Sequence, residues 1–296
     1  MLVTGKGGVG KTTVAASLAR YAASQGKRVL CAEIVGDPAA TSALADALGV
    51  DRLDIEPVRV APNLKGVLLA PHLGHTRFLR DVLPVKLLAD AAMRSAAIRR
   101  FLTAAPTFPE MGVLYRLLDL VRMRHRDGSD EHEMIIVDLP ATGHALALAQ
   151  IPASVLRVIP TGPIAAAVRE GLSLLTDSAR TGAVVVTLPE TLPVSEALEL
   201  SKGIEHHDIP LSLVVVNRVP FDPFSAAERD ALRRMLEGRP PMLGQRTLDR
   251  IERARASLAR LEREVKVPLC VLQDVWIDGP RLVDEMVSLM TLERAV

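Results

Sequence analysis

Residues 5–12 of the chain read Gly5-Lys6-Gly7-Gly8-Val9-Gly10-Lys11-Thr12. This stretch matches the pattern G-x-x-x-x-G-K-[ST], a glycine-rich loop whose backbone amides bind phosphate groups. A short apolar segment precedes the loop, and a helical pattern follows it over 12–24. Because strand, loop and helix occur in the order that a phosphate-binding loop (P-loop) requires, the stretch predicts a nucleotide phosphate site.

Each part of this loop has a predicted role. Glycines let backbone N–H groups point at phosphate oxygens without a Cβ in the way, and the helix N-terminus adds partial positive charge. Lys11 is expected to reach the β- and γ-phosphates, the Thr12 hydroxyl to ligate Mg²⁺, and Thr13 to lie near the α-phosphate. The predicted phosphate-binding residues are Gly5, Gly7, Gly8, Val9, Gly10, Lys11, Thr12 and Thr13.

The same glycines also fit a second motif. Gly5, Gly7 and Gly10 have the spacing G-x-G-x-x-G, which is typical of NAD-dependent oxidoreductases. Glu33 follows where that motif places its ribose-binding acid. A dinucleotide loop, however, has no use for a Lys-Thr pair after the last glycine, or for a second strand-end acid at Asp138. The P-loop interpretation is favoured, and the dinucleotide site stays open as the alternative.

Short apolar runs rich in Val and Ile alternate with helical stretches along the chain. The predicted buried strands are 29–32, 134–137, 183–187, 211–216 and 268–272, and helical stretches include 12–24 and 196–205. This alternation predicts a doubly wound, mostly parallel α/β sheet in a single domain over 1–296. Two regions without convincing strands are expected to be helical insertions, a subdomain at 71–126 and a second, strongly charged excursion at 221–265.

Composition narrows the possible functions. Of the 296 residues 49% are apolar, enough for a sizeable core, and only 3% are aromatic, too few for a base-stacking nucleic-acid platform. The formal net charge is +1, so no basic field attracts nucleic acid, and none is expected as a partner. Two distant cysteines, Cys31 and Cys270, argue against a disulfide framework or a cysteine zinc site. No secretory signal or transmembrane segment is recognisable, which predicts a cytoplasmic protein.

The second lysine of the loop, Lys6, carries a more specific resemblance. The string K-G-G-V-G-K-T-T, from Lys6 to Thr13, resembles the deviant Walker A P-loop of the ParA/MinD and ArsA class of dimeric ATPases. In that class the lysine reaches across a two-fold interface to the partner's nucleotide. The resemblance therefore implies a homodimer, or a heterodimer with a paralogue, bridged by the nucleotide. A solvated lysine is the alternative.

A segment after the strand at 134–137 narrows the resemblance to one family. It reads Asp138-Leu139-Pro140-Ala141-Thr142-Gly143-His144. This string is similar to the switch of the arsenite-pump (ArsA) and guided-entry tail-anchored protein targeting ATPases. Residues 37–39, 187–190 and 215–218 resemble shorter segments of the same family. The resemblance implies a P-loop ATP hydrolase that uses ATP and Mg²⁺.

The resemblance also implies residue roles. Asp138 would hold the Mg²⁺ shell together with Thr12, and Asp37 would polarise the attacking water. Gly143 would contact the γ-phosphate, and Asn217 and Arg218 would bind adenine. The implied catalytic residues are Asp37, Lys6 and Lys11. Glu33 is expected to be a strand-end carboxylate with a structural partner, whereas Glu190 and Glu196 are expected to start a helix.

The chain also departs from this family. Targeting members clamp their dimer with a zinc on CxxC motifs, and arsenite-responsive members bind the metalloid through cysteines in the helical region. Residues 221–245 and 71–126 contain no cysteine, so neither property is supported. The family pump has two fused ATPase halves, whereas this chain has one and must pair with a second copy or a paralogue.

Three functions remain open: a client-handling ATPase, the motor of an anion-efflux system with a membrane-partner protein, and a MinD/ParA-like positioning switch. In the first, apolar helices near 71–126 could form a client groove. Its candidate residues are Leu79, Leu83, Leu87, Met93, Phe101, Met111, Leu114 and Leu118. The alternative is that these side chains simply pack in the core.

Overall fold

An eight-stranded sheet organises the molecule. The computed structural model describes residues 1–71, 108–140, 155–157, 160–238, 240, 242 and 244–292. The strands are β1 (Leu2–Gly5), β2 (Val29–Ile34), β3 (Val58–Ala61), β4 (Leu64–Leu69), β5 (Met134–Asp138), β6 (Ala183–Thr187), β7 (Leu211–Val219) and β8 (Leu269–Gln273). The described helices are α1 (Lys11–Ser24), α2 (Ala43–Leu48), α3 (Phe108–Arg122), α4 (Gly162–Thr176), α5 (Thr191–His206), α6 (Ala226–Leu236), α7 (Gln245–Glu264) and α8 (Pro280–Leu292).

The strand order is β3-β4-β2-β5-β1-β6-β7-β8. In this sheet only the β3–β4 pair is antiparallel. The predicted doubly wound, mostly parallel α/β fold is therefore confirmed. β1 lies between β5 and β6, where the strand order reverses, and its carboxyl end leads into the glycine-rich loop. Folds of this kind bind ligands in the crevice outside the carboxyl ends of the strands at that reversal point.

Two apolar layers, one on each face of the sheet, form the core. Alternate residues of a strand point to opposite faces, so Val184 packs with the layer under α1, α2 and α8, whereas Val185 packs with the layer under α3, α4 and α5. Both valines are fully buried. The central strands are nearly continuous runs of Val, Ile and Leu because both of their faces are covered.

The hairpin β3–β4 was not predicted from the sequence. Asn63 makes the turn between its strands, with a left-handed φ of 58°, a conformation that asparagine tolerates better than most residues. β4 then pairs in parallel with β2 over six residue pairs, so this hairpin extends the sheet at its β2 side.

The two predicted helical regions are described to different extents. In 71–126 the described helix is α3, and residues 72–107 lie outside the described part. In 221–265 the described helices are α6 and α7. α6 begins with a capping box in which Ser225 and Glu228 exchange hydrogen bonds. The division into one domain with two helical insertions stays a prediction. Within the described ranges, no helix has both the length and the apolar character needed to cross a membrane.

Candidate nucleotide-binding site

The glycine-rich loop runs from the end of β1 to the start of α1, and two of its glycines are required by geometry. Gly5 passes so close to the neighbouring strand β6 that a Cβ would collide with the carbonyl oxygen of Val186. Gly10 has a left-handed φ of 91°, and a Cβ there would collide with the side-chain amide of Asn217. Only glycine meets both conditions without strain. Side chains at these positions would push the loop away from its place beside the sheet.

Asn217 connects the end of β7 to this loop. Its buried Nδ2 donates to the carbonyl oxygen of Val9 at 2.9 Å, and its Oδ1 accepts from the N–H of Arg218 at 3.0 Å. Val9 itself is 2% exposed and packs in the core, which fixes the tip of the loop. The amide of Asn217 keeps one further N–H and one further lone pair for a ligand. This residue therefore holds the loop in position, a task that the sequence did not reveal.

Lys11, Thr12 and Asp138 meet at the carboxyl edge of the sheet. The Thr12 hydroxyl donates to Oδ2 of Asp138 at 2.6 Å, which joins the first turn of α1 to the end of β5. The Lys11 ammonium donates to the carbonyl oxygen of Lys6 at 3.0 Å, across the loop. Burial lowers the pKa of Lys11, and the nearby Asp138 carboxylate offsets part of that effect. A cation and a carboxylate thus lie close together beside the glycine-rich loop.

Asp138 is an electrostatically unsatisfied carboxylate. Burial raises the pKa of this carboxyl group to about 6, and the negative charge of Glu33 adds to the rise. The hydrogen bond from Thr12 and the positive charge of Lys11 oppose it. Its Oδ1 is buried and has no hydrogen-bond partner among the residues that the structure describes. A buried carboxylate beside a threonine hydroxyl is an oxygen donor set that suits Mg²⁺. These two residues therefore fit the divalent cation that the P-loop motif implies.

Lys6 is held within its own chain. Its ammonium forms an ion pair with Glu196, which lies in the second turn of α5. The Lys6 side chain is 49% exposed and that of Glu196 24% exposed, so the pair lies at the surface. Glu190 is the N-cap residue of α5, as expected for an acid at a helix start. Glu196, also expected to start a helix, lies instead in the second turn, and its contact with Lys6 was not predicted because the two residues are far apart along the chain.

Asp37 lies in the exposed turn after β2. Its Oδ1 accepts from the N–H of Ala39 at 2.9 Å, a bond within the same turn. Glu33, at the end of β2, accepts from the Ser42 hydroxyl and so anchors the start of α2, which fits its expected structural role. Gly143, expected at the γ-phosphate, lies outside the described residues.

A cavity of about 390 Å³ lies between the ends of β7 and β8 and the start of α1. Thr13, Asn217 and Arg218, all predicted to contact the nucleotide, line it together. Residues of the loop after β8 complete the wall, among them Asp274 and Trp276. Sequence reasoning missed this loop, although its position after the last strand, at the same sheet edge, was a usable signal.

The described part of the predicted client groove belongs to the core. Met111, Leu114 and Leu118 are 8%, 3% and 2% exposed. Met111 and Leu114 pack with the core layer under α3, and Leu118 is buried on the same helix, which favours the core alternative for these three residues. The other five candidates, at positions 79 to 101, lie outside the described residues.

The fold and this site define a P-loop nucleoside triphosphatase architecture, and the comparison with known families agrees. Residues 1–161, more than half of the chain, match the family described as anion-transporting ATPase (ArsA). The chain belongs to the anion-transporting ATPase family. This confirms the resemblance drawn from the motifs at residues 5–13 and 138–144.

Several curated proteins are similar to this chain. ATPase BagA of Mycobacterium tuberculosis is 28% identical over 222 residues, which are 73% of this chain and 64% of BagA. The arsenical pump-driving ATPase of Acidiphilium multivorum is 30% identical over 254 residues, 78% of this chain and 41% of that protein. One from Escherichia coli is 27% identical over 288 residues, 94% of this chain and 42% of that protein. The chain thus spans less than two thirds of each relative.

Proposed function

We propose that this chain is a Mg²⁺-dependent ATP hydrolase that works as a nucleotide-bridged dimer and couples hydrolysis to a conformational change. The observation that carries the proposal is the junction of Lys11, Thr12 and Asp138 at the mouth of the glycine loop, where the Thr12 hydroxyl and Asp138 carboxylate are 2.6 Å apart. Family membership supports the same activity.

In this proposal the loop amides and the N-terminus of α1 bind the phosphates, and Lys11 leaves the carbonyl of Lys6 to contact the β- and γ-phosphates. Thr12 and Asp138 would hold Mg²⁺, which when bound neutralises phosphate charge. Asp37 would orient the attacking water. Asp37 and Ala39 are exposed, and the hydrogen bond between them lies within the turn, which is compatible with movement toward a nucleotide.

The dimer part of the proposal depends on Lys6. In a single chain this lysine is paired with Glu196, so a role across an interface requires that the pair opens. An exposed ion pair contributes about 0–1 kcal/mol. This is small compared with the attraction between a lysine and the several negative charges of a bound triphosphate. The partner's nucleotide could therefore take Lys6 from Glu196 at little cost. The partner is proposed to be a second copy or a paralogue.

The target of the conformational change is proposed only as a class. Two relatives are named arsenical pump-driving ATPases, which supports a transport-partner or client-handling role in the cytoplasm more than a MinD/ParA-like switch. Thiolate capture of a metalloid is not part of the proposal. Burial raises the pKa of the Cys31 thiol far above its usual range, so Cys31 stays protonated. The chain has two cysteines, which leaves Cys270 as the single remaining thiol.

Nucleotide competition and light scattering test this proposal. Unlabelled ATP should displace a fluorescent ATP analogue, whereas NAD should not, because a P-loop selects a triphosphate. Asp37→Asn should keep ATP affinity and lose turnover, with Asp46→Asn on α2 as the control.

ATP with Mg²⁺ should shift the protein toward a dimer, and Lys6→Ala should slow hydrolysis. Displacement by NAD would overturn the ATPase assignment, and a monomer with undiminished Lys6→Ala turnover would overturn the dimer.

A further inference from the structure

A second cavity lies at the amino edge of the sheet, opposite the edge that carries the glycine-rich loop. Its volume is about 500 Å³, within the range of roughly 300–1,000 Å³ that small-molecule sites occupy. The amino ends of β1 and β5 and the C-terminal halves of α3 and α4 contribute to its wall. The lining residues that the structure describes include none from the glycine-rich loop. This cavity is therefore separate from the candidate nucleotide site.

The inner wall of the cavity is apolar. Its aliphatic side chains come from β1, β5, α3 and α4, and they are Leu2, Val137, Leu117, Leu174 and Leu175. Each of these residues is at most 8% exposed. A hydrocarbon group placed in the cavity would contact these side chains and would be shielded from water, which favours its binding.

The rim of the cavity carries two carboxylates that already have cationic partners. Asp130 pairs with Arg124, which also lines the cavity, at 2.8 Å. Glu133 pairs with the Arg28 guanidinium at 3.4 Å and accepts a hydrogen bond from the Arg28 N–H at 3.0 Å. Because opposite charges lie beside both carboxylates, the rim does not present a net negative charge to a ligand.

Arg180 adds a positive charge to this rim. It lies in the turn after α4 and is exposed. Its guanidinium forms no salt bridge with the residues that the structure describes. Its charge acts on Glu170 from a distance, but Glu170 already pairs with Arg122. A guanidinium without a close partner can bind a carboxylate through two parallel hydrogen bonds.

His132 contributes a buried polar group to the same wall. The residue is 9% exposed, and its Nε2 has no hydrogen-bond partner among the described residues. Burial lowers the pKa of His132, and the charge of Lys65 acts in the same direction, so the ring is mainly neutral at pH 7. Buried polar atoms in proteins nearly always have a hydrogen-bond partner. The cavity wall thus keeps unused hydrogen-bonding capacity in addition to the Arg180 charge.

We infer that this cavity is a second binding site, and that it takes a small amphiphilic carboxylate. The aliphatic part would lie against the leucines of α3 and α4, and the carboxylate would pair with Arg180. The inference goes beyond the proposed function and does not depend on it, because neither the nucleotide nor the glycine-rich loop takes part. Since the two sites share no described lining residue, the carboxylate and a nucleotide should bind at the same time.

Calorimetry of the full chain with octanoate tests this inference. We expect a dissociation constant below about 1 mM for octanoate, with saturating ATP and Mg²⁺ leaving it unchanged. Acetate lacks the chain and octylammonium has the opposite charge, so both should bind at least about 10-fold more weakly. Failure of octanoate to bind, or its displacement by ATP, would overturn the inference, as would equal affinity for octylammonium.

Two exposed positions at the cavity locate the binding. Arg180→Ala should weaken octanoate binding by about 5- to 20-fold, because a charge-assisted pair is lost. Arg263→Ala is the matched control, since Arg263 is exposed on α7 and does not line the cavity. Ser178→Trp places an indole at the cavity wall and should block octanoate, whereas Ser173→Trp, on the exposed side of α4, should not.

The stability of each variant is followed by urea denaturation, so that loss of binding is separated from loss of folding. Octanoate binding that is unchanged in both Arg180→Ala and Ser178→Trp would overturn the inference, because the ligand would then lie elsewhere. An equal loss in the control variants would also contradict it. All of these outcomes leave the proposed ATPase activity standing, since ATP hydrolysis is measured separately.

Discussion

Replacing Asp138 by asparagine should make the unliganded protein more stable while removing its function. The substitution keeps the shape of the side chain and leaves an oxygen that can accept the hydrogen bond from Thr12, which is 2.6 Å long in the structure. It removes the ionisable group, whose pKa burial raises from 3.8 to about 6. Burying an ionised carboxylate destabilises the folded chain unless an opposite charge compensates it. We therefore expect Asp138→Asn to raise the free energy of unfolding of the unliganded protein and to lower its activity.

The magnitude follows from the pKa. Because the folded chain binds this proton more tightly than the unfolded chain, the group favours folding below about pH 4, and that contribution is lost as the pH rises through about 6. At about 1.4 kcal/mol per pH unit, ionised Asp138 costs about 3 kcal/mol at pH 7.5 and roughly half as much at pH 5. Lys11 loses a nearby negative charge in the variant, so the net gain should be about 1–3 kcal/mol.

Urea denaturation at pH 5 and pH 7.5, without nucleotide, measures this difference. Asp138→Asn should unfold at higher urea than the unsubstituted protein at pH 7.5, with a smaller gain at pH 5. Asp249→Asn, an exposed carboxylate on α7, is the control and should change little at either pH. With Mg²⁺ and ATP the order should reverse, because only the unsubstituted chain gains ligand stabilisation. A variant that is less stable at pH 7.5, or equally affected at both pH values, would refute the electrostatic argument.

Further predictions concern the loop. Gly10→Ala should destabilise the protein by about 1–3 kcal/mol, since it combines a left-handed φ of 91° with a collision at Asn217. Gly7→Ala is the control for that urea experiment, because among the described residues no heavy atom lies within 4 Å of an added Cβ at Gly7; equal losses would contradict the steric explanation. Glu196→Gln should release Lys6 and raise the dimer fraction at subsaturating ATP in light scattering, whereas an unchanged or lower dimer fraction would argue against an opening ion pair.

The sequence predicted the parts of the fold that depend on local pattern. The Val-rich strands and the helix after the P-loop were identifiable because hydrophobic periodicity and glycine spacing are short-range signals. The hairpin β3–β4 was missed, although two apolar runs around Pro62-Asn63 carried a hairpin signal. Its edge position and small size made the alternation weak, and the parallel pairing with β2 depends on tertiary packing.

The sequence named candidate site residues, but it did not reveal the contacts between them. Thr12 and Asp138 could be paired in advance, since a P-loop and a strand-end acid meet at the same edge of a parallel sheet. The bond from Asn217 to Val9 and the ion pair of Lys6 with Glu196 join residues far apart in sequence. The position of Trp276 at the cavity was not predicted for the same reason, because only the folded chain brings the loop after β8 beside the P-loop.

Phosphate release from ATP, measured for the unsubstituted protein, Lys11→Ala and Lys27→Ala, tests the central claim most directly. Lys27 is an exposed lysine just beyond α1 and serves as the matched control. The account predicts Mg²⁺-dependent release by the unsubstituted chain and by Lys27→Ala. It predicts a fall of about 100-fold or more in Lys11→Ala, with the fold retained by circular dichroism, because the cation that contacts the transferred phosphate is gone. Hydrolysis by Lys11→Ala at the unsubstituted rate would contradict the account.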